Sequence, residues 1–63
     1  MNAPRFMREY INDKEKRLRQ LTKDGGLTAE KLNDIQWEIT KIVRAYEAGM
    51  IQIDEAMAAL IEA

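Results

Sequence analysis

Asp24-Gly25-Gly26-Leu27-Thr28-Ala29-Glu30 is the stretch that decides the fold. Two adjacent glycines interrupt a helical pattern, and a glycine after the last turn of a helix can take the left-handed conformation that closes it. Leu27 and Thr28 then open another helix. Thr28 is suited to the N-cap, and Glu30 falls in the first turn, near the positive end of the helix dipole. Leu27 and Leu32 hold the two positions of a hydrophobic staple. A helix stop and a helix start this close together predict an antiparallel hairpin.

On the N-terminal side, the pattern predicts a first helix over about 3–23. Asn2 is positioned to cap it, and Pro4 suits the first turn, where its missing N–H costs nothing. Met7, Ile11, Leu18 and Leu21 form an apolar seam, with Lys14 standing in the missing step. Lys14 is expected to run its stem along the seam and carry its charge to water. Phe6 and Tyr10 flank the seam. The outer face is charged, with Glu9–Asp13 and Glu15–Arg19 one turn apart.

On the C-terminal side, a second helix is predicted over about 28–48. Leu32, Ile35, Ile39, Ile42 and Tyr46 recur at 3-4-3-4 with Val43 beside them, a seam that has to be buried, and the first helix is the nearest candidate to cover it. Gly49 marks the second break, and the two junctions align Gly26-Leu27 with Gly49-Met50. Met50-Ile51-Gln52-Ile53 leads into a short third helix over about 54–62, capped by Asp54, with Gln52 as a second, weaker candidate. Ala56, Met57, Leu60 and Ile61 form its apolar side. A helix of that length is marginal alone and must dock. The expected architecture is one all-α domain over 1–63: a hairpin plus a short third helix, pairing into a dimeric bundle.

Composition narrows the chemistry. The 63 residues include no cysteine, histidine or serine. This removes thiol and imidazole nucleophiles, a Ser-His-Asp triad, zinc sites of the Cys/His type and any disulfide framework. Glu30 with Asp34, and Glu9 with Asp13, read as solvated faces, because helical-bundle metal sites need Glu-x-x-His as well. Gly25-Gly26 lacks the Lys-Ser/Thr of a phosphate loop. No catalytic residue, cofactor or metal is therefore expected. The longest uncharged runs, Ala48–Ile53 and Ala56–Ile61, are too short to cross a bilayer, and no signal peptide is evident, so the cytoplasm is the default location. The size suits a bacterial or phage protein.

The net charge of −1 hides an asymmetry. Residues 1–23 carry seven bases and three acids, and residues 24–63 carry three bases and eight acids. The bland reading is a basic helix packed beside an acidic remainder. The alternative is nucleic-acid binding through the first helix, with Arg5, Arg8, Lys16, Arg17 and Arg19 on phosphates.

Trp37 does not fit a simple hairpin. At about 100° per residue it lies opposite the Ile35–Ile39–Ile42 seam, on a face with Asp34, Lys41 and Arg44. Three readings stand: the third helix folds back over it, it forms a self-association surface, or it docks another protein, where tryptophan is a typical hot spot. The candidate partner-binding residues are Trp37, Lys41, Arg44 and Met50. Met7, Met50 and Met57 are all at apolar positions and read as core fillers.

Ile11, Leu18, Leu21, Gly26-Leu27, Leu32, Ile35, Ile39, Lys41-Ile42-Val43 and Tyr46 line up without a gap on a known family. Over about residues 11–46 the chain resembles the small sporulation-regulating aspartyl-phosphate phosphatases, helical hairpins that dock on response regulators. The family's second helix carries Ser-Gln-Glu-Leu-Asp, where this chain has Gln36-Trp37-Glu38-Ile39-Thr40. Its glutamine falls on Trp37 and its aspartate on Thr40, which removes the side chains that would orient water at a phosphoaspartate. The segment Gly49–Ala63 has no counterpart there. The resemblance thus implies either a phosphatase-like modulator of a phosphorylated response regulator or a hairpin of similar shape that binds without chemistry. The expected function is the latter kind: a small non-enzymatic, self-associating helical protein that binds another protein of unknown identity, with nucleic acid and membrane not its partners.

Overall fold

A computed structural model describes residues 3–63. It contains three helices: α1, Arg5–Lys23; α2, Ala29–Glu47; and α3, Ile53–Glu62. No strand occurs among the described residues.

The junctions explain where the helices end. After α1, the N–H of Gly25 bonds to Thr22 O and that of Gly26 to Leu21 O, while Gly25 takes φ +82°. After α2, the N–H of Gly49 bonds to Tyr46 O and that of Met50 to Ala45 O, with Gly49 at φ +76°. Both are Schellman closures, in which a left-handed residue lets two N–H groups reach back to carbonyls that the helix leaves unpaired. The equivalent positions are Gly25 with Gly49 and Gly26 with Met50, one residue out of step with the alignment expected from the sequence. Leu27 then corresponds to Ile51, and the N-cap Thr28 to the N-cap Gln52.

The three helix starts differ. Thr28 Oγ1 accepts a hydrogen bond from the Lys31 N–H at 3.1 Å, as its residue type predicts. Gln52, not Asp54, is the N-cap of α3, and its side chain makes no cap bond. Asp54 lies inside the first turn, where with Glu55 it faces the positive end of the dipole. Pro4 stands just before α1 rather than in its first turn, at φ −60° and ψ 154°, and its carbonyl accepts from the Arg8 N–H. A residue at that position needs no N–H for the helix, so proline is tolerated. The capping assigned to Asn2 lies outside the described residues.

The core is small. Ala3, Met7, Ile39, Ala56 and Leu60 are its buried members, so all three helices contribute to one cluster. Tyr10, Ile11, Ile35, Ile42, Val43, Tyr46, Ile51, Ile53 and Met57 pack around it, half-buried. Both α1 and α3 pack against α2, so the apolar seam of α2 is shared between them. No polar or charged side chain is buried among the described residues. Two seam residues are less covered than their spacing predicts: Leu21 and Ile61 both remain exposed, where α1 and α3 run out of partners. Met50 is 78% exposed, which overturns its reading as a core filler.

Lys14, half-buried, has a partner that its spacing does not indicate. Its Nζ donates to the carbonyl oxygen of Leu60 at 2.8 Å and lies 6.0 Å from the centroid of the Tyr10 ring. The last carbonyls of a helix have no partner within it, and a cation there also meets the negative end of the dipole. The polar step in the seam of α1 is therefore the group that receives the end of α3.

Candidate functional site

Trp37 sits on α2 across from Ile39. Ile39 is buried, and Trp37 remains 55% exposed. A shallow open groove beside the indole is lined by Asn33, Gln36, Trp37, Thr40 and Arg44, all from α2. No residue of α3 contributes. The reading in which α3 folds back over Trp37 is therefore overturned. Ala56 and Leu60 draw α3 to the opposite side, into the cluster with Met7 and Ile39, where its apolar stripe finds more to bury.

The other partner-binding candidates separate into two places. Arg44 lines the groove of Trp37. Lys41 is exposed on the same helix, and its Nζ lies 3.4 Å from Glu38 Oε1. Met50 stands in the turn after α2 and lines no groove with Trp37. Its backbone role in closing the helix is clear, and nothing joins its side chain to the indole.

A second surface was not legible in the sequence. Between α1 and the end of α3 runs a groove lined by Tyr10, Lys14, Arg17, Leu18, Leu21 and Ile61. Leu21 and Ile61 read as core residues by spacing alone. Only the tertiary arrangement reveals that each is left on the rim.

The basic residues of α1 do not pair with the acidic remainder. Arg5 Nε is 2.8 Å from Glu9 Oε1, and Arg19 is 3.6 Å from Glu15, both within α1. Among the described residues no ion pair joins two helices. Helical spacing puts Arg5, Arg8, Lys16 and Arg19 on the outer side of α1. Arg17 stands between the two sides, lining the groove toward α3 with Lys14 and another with Lys16.

Among the described residues, no three acidic side chains converge on a point that would hold a metal ion, and no helix is long and apolar enough to cross a membrane. No family model matches the chain, nor does any curated protein or solved structure.

Proposed function

We propose that the chain is a non-enzymatic helical protein that acts by binding another protein, and that it self-associates. In this reading α1 and α2 form an antiparallel hairpin, α3 closes one side of it, and two copies build a dimeric helical bundle. One observation carries the proposal: the indole of Trp37 stays uncovered beside Arg44, on the face of α2 turned away from the core. A large aromatic ring with a cation beside it is the composition typical of binding hot spots. The core supports the same reading, since a unit of this size buries little apolar surface against its conformational entropy and gains from a partner.

The test uses the whole chain and its Trp37→Ala variant. Sedimentation at rising concentration measures assembly, and affinity capture from the source cell measures partner binding. A monodisperse monomer at high concentration counts against self-association. Assembly and capture both unchanged by the substitution would remove Trp37 from the function.

A second reading is binding to nucleic acid through α1, favoured by the exposed Arg8, Lys16 and Arg19 on one side of that helix. Such binding weakens steeply with salt. No shift of any duplex at low salt would end it.

A further inference from the structure

We propose that the face of α2 centred on Trp37 is a two-fold dimer interface, on which a second copy of this chain lays its own α2 in the opposite direction. The proposal rests on the self-association reading above and names its surface, its direction and its charge pairs.

Glu30, Asp34, Trp37, Lys41 and Arg44 recur at 4-3-4-3 along α2, a single stripe on the side away from Ile39. All five are exposed. The stripe is ordered by charge: two acids precede the tryptophan and two bases follow it. Glu30 and Arg44 are each seven positions from Trp37, and Asp34 and Lys41 are three and four positions away. A two-fold axis at Trp37, perpendicular to the helix pair, therefore sets Glu30 against Arg44 of the second copy and Asp34 against its Lys41. The two indoles meet at the centre. Turning the second helix to run parallel would oppose like charges, so the pattern fixes the direction as well as the surface.

The helix dipole accounts for part of this order only. It favours an acid in the first turn and a base in the last, which covers Glu30 and Arg44. Its influence fades within one turn, so it does not reach Asp34 or Lys41. In a single copy, Glu30, Asp34 and Arg44 have no ionic partner among the described residues. Lys41 has one, Glu38, at 3.4 Å and largely in solvent, a contact that costs little to exchange. Two helices of about 28 Å bury an area at the low end of specific interfaces, so the dimer forms and dissociates with concentration.

The experiment compares the full wild-type chain, Asp34→Lys and Lys41→Asp, each alone and the two variants mixed in equal amounts. Circular dichroism checks that all remain helical. Sedimentation and the emission of Trp37, the one tryptophan, report assembly. The wild type is expected to dimerise as concentration rises, with the emission moving to shorter wavelength. Either variant alone sets like charges against each other at two places and is expected to dimerise about tenfold more weakly. The mixture is expected to recover, because in a mixed pair each reversed side chain faces its opposite. If the wild type assembles but the mixture is no tighter than the separate variants, the interface lies elsewhere and only this proposal falls. If the wild type stays monomeric at all concentrations, the self-association reading falls with it. An assembly that grows beyond two copies would overturn the closed two-fold pairing.

Discussion

Lys14 Nζ donates a 2.8 Å hydrogen bond to the carbonyl oxygen of Leu60, across 46 positions of chain. Among the described residues it is the one hydrogen bond that joins two helices. Replacing Lys14 with methionine keeps much of the stem and removes the donor. A hydrogen bond to a charged group contributes roughly 1.5–3 kcal/mol, and Leu60 O would lose its only cationic partner. We expect Lys14→Met to lower stability by about 2 kcal/mol in urea titration. Amide exchange should accelerate first in α3, which at ten residues cannot persist undocked.

The three glycines should separate into two groups. Gly25 and Gly49 have positive φ, so Gly25→Ala and Gly49→Ala are each expected to cost about 1 kcal/mol. A Cβ at either would meet nothing within 4 Å, so the cost is conformational and not steric. Gly26 has no such φ, and its added Cβ would rest at 3.6 Å from Leu21, an ordinary contact. Gly26→Ala should therefore be neutral or stabilise by roughly 0.5 kcal/mol, by narrowing the unfolded ensemble. Thermal unfolding of the three variants checks the order.

Ala56 is fully buried in the middle of the cluster, and so is Leu60 one turn later. Leu60→Ala leaves a cavity and should cost about 2–5 kcal/mol. Ala56→Leu adds volume where none is free and should cost about 1–3 kcal/mol, even though leucine is the more apolar residue. Equal or greater stability of Ala56→Leu in a denaturant titration would place α3 farther from α2 than described.

Trp37→Ala should do the reverse of the core variants. Most exposed substitutions change the stability of a single chain by less than about 0.5 kcal/mol, so at dilution the unfolding midpoint should hardly move. The change should appear instead in sedimentation at high concentration. Loss of stability at dilution would mean that the indole is covered within one chain.

The resemblance to the sporulation phosphatases expected from the sequence, which no family model matches, has its own test. Trp37 and Thr40 occupy the positions where that family has glutamine and aspartate. Thr40 Oγ1 is already committed, donating to Gln36 O at 3.0 Å. Incubation with a panel of phosphorylated receiver domains should therefore leave the rate of label loss unchanged. Faster loss with any of them would restore the enzymatic reading.

What was legible in the sequence was what short stretches of chain decide. The closure at Asp24-Gly25-Gly26 and the cap at Thr28 depend on residues within one turn of each other, and both could be read. The seam of α2 was readable because one period runs through it without a polar break. The cap of α3 is not the one that residue type favours: Asp54 is the better capping residue, while the chain starts the helix earlier, with Gln52 as N-cap, and half-buries Ile51 and Ile53 against the core. The bond of Lys14 to Leu60 and the exposure of Leu21 and Ile61 were not legible for one reason: each depends on where α3 lies, and nothing in the local pattern says so. The same holds for the site. The position of Trp37 opposite the seam was evident from helical spacing, but that α3 would leave it bare was not.

Among the described methionines, Met7 and Met50 stand at opposite extremes of access to solvent, 0% and 78% exposed. Peroxide converts an accessible thioether to a sulfoxide and reaches a buried one only when the chain opens. Met50 should thus be modified promptly with little harm, since its contribution to the turn is made by its backbone N–H. Met7 should be modified at the pace of unfolding, and a polar sulfoxide at the centre of so small a core would keep the chain from closing again. The protein thereby carries its own chemical clock: the ratio of the two oxidised methionines records how often the bundle has come apart.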